Sequence, residues 1–67
     1  MRADKLNRNL SVLLEVEREP GRSSTEVART LGIRRMQARG ALQRLKREGL
    51  VRWEPEARNG TWYPEMS

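Results

Sequence analysis

The sequence has no cysteine, no histidine and no phenylalanine, and its only aromatic residues are two tryptophans and one tyrosine. Without cysteine no disulfide can staple the chain, and without either cysteine or histidine a structural zinc site loses its usual ligands. The same absences remove the commonest general base and the commonest thiol nucleophile. No glycine-rich phosphate loop and no serine with an evident base partner replaces them, so the expectation is a non-enzyme with no cofactor and no metal. The acids Glu15, Glu17 and Glu19 read more simply as solvated helix charges than as a catalytic carboxylate pair. Long apolar runs are missing too. The longest is Val12 to Leu14, far short of the ~20 residues of a membrane span. No signal peptide is read, and the expected setting is cytoplasmic and nucleoid-associated, with no membrane partner and no small-molecule ligand.

What is present is short and basic. Sixty-seven residues with a net charge of +5 make one domain, spanning 1–67, near the lower limit for a chain that folds without staples. There is no linker, low-complexity segment or internal repeat. The charge is unevenly placed. Residues 1–33 carry six bases and five acids, residues 34–47 six bases and no acid, and residues 48–67 two bases and four acids. A concentrated stripe of this kind makes a local field that attracts phosphates, which a uniformly basic surface does not. Twelve of the fourteen bases are arginine. The guanidinium fork suits phosphate and guanine, although GC-rich coding also inflates arginine.

The stripe falls within Arg34 to Gly49, RRMQARGALQRLKREG. At helical spacing Ala38, Leu42 and Leu45 share one side, flanked by Ala41, and cations and glutamines cover the rest. A narrow apolar stripe is enough to dock a helix, so most of this one is free to meet a polyanion. It reads as a DNA recognition helix over about 34–48. Before it, residues 3–18 read as a first helix in which Leu6, Leu10, Leu13 and Leu14 form the buried face. Val12 and Val16 stand rotated from the leucines. Two accounts of them are open: part of a wide buried face, which leads, or a surface for homodimerisation through helix 1. Pro20-Gly21 ends this helix. Ser23 to Glu26 is a capping-box pattern that starts a second helix over about 24–31, with Val27, Ala28 and Leu31 inward and Gly32 as its left-handed stop. Ile33 anchors the turn. Small Ala28 lets the second and third helices cross closely. After Gly49, Leu50 to Glu54 and Thr61 to Tyr63 read as strands joined through Asn59-Gly60, a hairpin over about 50–63 stopped by Pro64.

From Thr25 to Val51 the chain resembles the winged helix-turn-helix DNA-binding domains of bacterial and phage transcriptional regulators. The matching marks are Glu26-Val27-Ala28, Leu31-Gly32-Ile33, Leu42 with Leu45, and Gly49-Leu50-Val51, and the likeness extends over about residues 23–63. It implies a mainly α fold with a small β-hairpin, a three-helix winged helix-turn-helix. It also implies double-stranded DNA as partner, with the third helix in the major groove and the hairpin as a wing. Arg58, Asn59 and Gly60 match the wing tip, flanked by Glu54 and Glu56, which weaken it as an anion site. Two departures stand out. Arg34-Arg35 occupy the place where family members often carry serine or threonine. A branch that binds Z-form DNA aligns over Leu31 to Gly49, yet its third-helix asparagine and tyrosine fall at Arg39 and Gln43, so Z-form recognition is not expected.

In the major groove, base reading falls to Arg35, Met36, Gln37, Arg39, Gly40 and Gln43. Glutamine can grip adenine, arginine guanine, and methionine can touch a thymine methyl. Glycine costs a helix interior roughly 1 kcal/mol, and Gly40 either lets DNA approach the backbone or marks a close helix contact. Phosphate binding falls to Ser24, Thr25, Arg34, Arg44, Lys46 and Arg47. Cations at a helix start oppose its dipole by ~0.3–1 kcal/mol, a conflict that a phosphate bound at Arg34 and Arg35 would relieve. Trp53, Trp62 and Tyr63 are assigned to core and wing packing ahead of base stacking. A transcriptional regulator is the leading function. The alternatives are a winged-helix module for an acidic protein surface and an architectural DNA or RNA binder.

Overall fold

The computed structural model describes residues 2–55 and 60–65, with side chains from Arg8 onward. Three helices precede a two-stranded hairpin: α1 (Arg2–Arg18), α2 (Ser24–Leu31), α3 (Arg35–Arg47), β1 (Val51–Glu54) and β2 (Thr61–Pro64). This is the three-helix winged helix-turn-helix architecture. Arg58 and Asn59, expected at the wing tip, lie outside the described residues, as does Glu56.

The helix ends are set by local chemistry. At the start of α2 the Ser23 hydroxyl accepts the Glu26 amide (3.3 Å) while the Glu26 carboxylate accepts the Ser23 amide (3.0 Å), which satisfies two of the amides a helix start leaves free. Helices α2 and α3 end alike. Gly32 (φ 70°) and Gly49 (φ 80°) adopt the left-handed backbone. Each directs the next amide back to the last turn, Ile33 to the Ala28 carbonyl (3.0 Å) and Leu50 to the Leu45 carbonyl (2.9 Å). The turn between α2 and α3 is thus held at its α2 end, and Ile33 packs on the core from within it.

The core is built of short side chains. Val12 and Val16 of α1, Val27 and Ala28 of α2, Ala38, Ala41, Leu42 and Leu45 of α3, Val51 of β1 and Trp62 of β2 are all buried. Leu13, Leu31 and Ile33 pack against this cluster from its edge. The expectation for α1 is corrected here. Its inward side carries the two valines, whereas Leu10 and Leu14 are 54% and 55% exposed; the side chain of Leu6 is not described. Alanines on α2 and α3 bring the helix backbones close, and the shorter valines fit the space that remains where leucine would overfill it. For Val12 and Val16 the leading account, burial, holds, and the alternative of a dimer surface falls because both are inside the domain.

The strands pair antiparallel, Val51 with Pro64, Arg52 with Tyr63, Trp53 with Trp62, and Glu54 with Thr61. A further strand-like contact was not foreseen. Gly21 donates to the Trp62 carbonyl (2.8 Å), and Trp62 donates to the Arg22 carbonyl (3.0 Å), so the segment after α1 covers the free edge of β2. Arg22 also ties α1 to α2 through its side chain. Its guanidinium pairs with Glu15 of α1 and with Glu19 just beyond it, and donates to the Thr30 hydroxyl of α2. Glu15 is buried and meets Arg18 as well (3.3 Å). The solvated role expected for Glu15 is therefore replaced by a structural one: it lies on the valine side of α1, where an isolated carboxylate could not be kept without partners.

Candidate nucleic-acid interface

Helix α3 buries Ala38, Ala41, Leu42 and Leu45, so at 100° per residue Met36, Gly40, Gln43 and Arg47 form its outward crest. Met36 is 83% exposed. Arg35, Arg39 and Lys46 lie on one flank of the crest, and Gln37 and Arg44 lie on the other.

The first flank faces an open groove of about 410 Å³. Arg35, Arg39, Gln43 and Lys46 line it from α3, Ser24 and Thr25 from the start of α2, and Trp53 and Trp62 from the hairpin. The structure thus brings residues expected to bind phosphate and residues expected to read bases into one concave surface with no acid among its described lining residues. The tryptophans are the addition. Trp62 is buried in the core and borders the groove from there, whereas Trp53, its cross-strand partner, is 40% exposed. Gly60 explains why Trp53 stands there. An added Cβ on Gly60 would lie 2.0 Å from the indole nitrogen, and the backbone has φ 76°, so the ring lies against glycine backbone. Sequence alternation placed Val51 and Trp53 on one face, but it could not show that this face runs past the core into the groove.

The start of α3 is open. Arg34 is extended (φ −75°, ψ 149°) and provides no side-chain cap, since a guanidinium has no acceptor. Gln37 supplies half a capping box, its side-chain carbonyl accepting the Arg34 amide at 3.0 Å. That bond turns Gln37 back onto the backbone and engages the group with which it was expected to read a base. The first-turn amides that remain, with Arg34 and Arg35 beside them, carry positive charge outward.

The cations of α3 are not equally available. Arg44 is paired with Glu48 at 3.1 Å, an exposed i,i+4 contact of small energy. No described acid pairs with Arg34, Arg35, Arg39, Lys46 or Arg47. Arg52 lies on the opposite face of the hairpin, where it pairs with Glu54 (2.9 Å) and stands 5.0 Å from the centre of the Tyr63 ring. Gly40 makes no close helix contact, because a Cβ there would meet nothing within 4 Å.

Among models of protein families, that of the MarR family matches residues 7–60. Among solved structures, the chain is similar to the Zalpha domain of Cyprinid Herpesvirus3 ORF112, whose binding mode to Z-DNA was the subject of that structure. The identity is 28%, over 87% of this chain and 92% of that one, with a TM-score of 0.77. It is also similar to the Zalpha domain of Carassius auratus PKZ, solved in complex with Z-DNA, with 11% identity over 91% of this chain and 97% of that one and a TM-score of 0.82. At that identity the second likeness is one of fold. Comparison with curated proteins gives no match.

Proposed function

Because the chain belongs to the MarR family, we propose that it binds double-stranded DNA by laying the crest of α3 in the major groove and acts as a sequence-reading transcriptional regulator. One observation carries this reading. No described acid pairs with Arg34, Arg35, Arg39, Lys46 or Arg47 beside the uncapped first turn of α3, whereas Arg18, Arg22, Arg44 and Arg52 each pair with one. A surface kept free of acids over residues 34–47 and presented as a ridge is suited to a phosphate-walled groove. Gln43 on the crest and Arg39 beside it are the base readers in this reading; Met36 is free to meet a thymine methyl. Arg34, Arg35, Lys46 and Arg47, with Ser24 and Thr25 across the groove, hold phosphates and set the register.

The likeness to the ORF112 Zalpha domain favours a second reading, in which the groove containing Trp53 and Trp62 holds a left-handed backbone. Such a protein would recognise conformation and have little base preference along a right-handed duplex.

The test is selection from a random duplex pool at two salt concentrations, followed by competition with alternating CG duplexes held in the Z-form. An enriched motif with affinity falling steeply as salt rises supports a sequence-reading regulator. Preference for the Z-form competitor over every selected duplex supports the second reading and rejects the first. Retention of neither, even at low salt, removes both and leaves an acidic protein surface as the partner.

A further inference from the structure

The flank of α3 that faces away from the hairpin meets α1 in a second groove, of about 230 Å³, to which α1 contributes Arg8 and Asn9 and α3 contributes Met36, Gln37, Gly40 and Arg44. No acid lines it. Arg8 and Asn9 are half-buried, and Arg8 has no ion pair with a described residue. Arg8 stands one turn before buried Val12, on the inward side of α1, so the packing that fixes Val12 also fixes the root of the arginine. Arg44 faces the same groove with its Nε held by Glu48, which leaves the remaining guanidinium N–H groups unassigned. Arg8 and Arg44 thus set two guanidinium groups along one cleft, and an anion lying between them would be attracted by both.

We propose that Arg8, with Asn9 beside it, is a phosphate-binding site for the DNA strand opposite the one held along the Arg35, Arg39 and Lys46 flank. The inference rests on the major-groove reading above and extends it to α1. A helix about 10–12 Å across fills a major groove about 12 Å wide, so when its crest reaches the base edges, a wall of phosphates runs along each flank. The hairpin-side wall meets Arg35, Arg39 and Lys46. The other wall runs past Gly40, where no side chain keeps it away, and reaches Arg44 and Arg8.

The experiment uses the full chain on its selected duplex and compares wild type with Arg8→Ala and Arg8→Lys. Affinity is titrated against salt, and methylphosphonates neutralise one backbone position at a time on each strand. Loss of one phosphate contact flattens the salt slope by about 0.9. Arg8→Ala is therefore expected to weaken binding several-fold on every sequence alike and to flatten the slope by that amount, while Arg8→Lys retains it. Neutralising the matching phosphate should weaken wild type and leave Arg8→Ala unchanged. An Arg8→Ala protein with the slope and neutralisation map of wild type overturns the α1 site while the α3 reading stands. Failure of wild type to bind any right-handed duplex overturns both. If Arg8→Ala folds poorly, Arg8→Gln takes its place, and Arg44→Ala separates the two arginines: a second-strand phosphate that stays sensitive in Arg44→Ala and loses its sensitivity in Arg8→Gln belongs to Arg8, and one that does the reverse overturns the α1 site.

Discussion

Glycine-to-alanine changes have opposite expected signs at two positions in this domain. Gly40 sits inside α3 with ordinary helical backbone and open space where its Cβ would be. Alanine there should stabilise the fold by about 0.5–1 kcal/mol, from helix propensity alone. If DNA passes close to this backbone, the same variant should bind it less tightly, so denaturant unfolding and duplex affinity should move in opposite directions. Tighter or unchanged binding by a stabilised Gly40→Ala protein would remove Gly40 from the interface. Gly60 is the reverse case. Its left-handed backbone and its contact with Trp53 mean that Gly60→Ala should cost about 1–3 kcal/mol and displace the indole from the groove. A tryptophan fluorescence change in the native baseline, together with a lowered midpoint, is the expected signature.

At the scale of elements, α1 separates what the sequence made legible from what it did not. Helix positions, the capping box, both glycine stops, the hairpin and the α3 core stripe were all readable, because each depends on residues within a few positions of one another. The inward face of α1 was not. Four leucines at helical spacing outweigh two valines on any hydropathy argument, and only the partner surfaces, built from alanine and valine, decide for the shorter residues. The same blindness hid Arg22 and Arg8, whose roles depend on elements remote in sequence; the available signal was polar residues one turn from a valine, Arg8 before Val12 and Glu15 beside Val16. Two predictions follow from this geometry. Val12→Ala or Val16→Ala should cost about 2–3 kcal/mol, whereas Leu10→Ser and Leu14→Ser should stay near 0.5 kcal/mol, as read from urea unfolding. Equal losses at both faces would refute the assignment. For the Arg22 cluster, Glu15→Ala or Arg22→Ala should cost about 1–3 kcal/mol, below the ~3–5 of a fully enclosed pair because Arg22 is partly solvated. A double-mutant cycle should return a coupling above experimental error, and additive losses would show that the two side chains act independently.

Across the whole molecule, charge is sorted by use. The described acids at Glu15, Glu19, Glu48, Glu54 and Glu65 contact Arg18, Arg22, Arg44 and Arg52, which neutralises the back and sides of the domain. The cations that remain unpaired among the described residues include Arg34, Arg35, Arg39, Lys46 and Arg47, all in one segment. If Arg34, Arg35, Lys46 and Arg47 each neutralise a phosphate while Arg39 reads a base, the logarithm of affinity should fall with the logarithm of salt at a slope of about −3.6, or roughly 150-fold between ~50 and ~200 mM. Engagement of Arg8 would steepen the slope to about −4.5. Arg47→Ala should then reduce it by about 0.9 without changing base preference, while Arg39→Ala or Gln43→Ala should relax preference at one position by ~1–3 kcal/mol. An acidic protein surface lacks the condensed counterions of a duplex, so binding there would be screened but would not release ions in proportion to contacts. The slope therefore distinguishes the partners by mechanism: a value near four that drops stepwise with each removed phosphate-binding cation requires a polyelectrolyte, and a shallow slope indifferent to Arg47 requires something else.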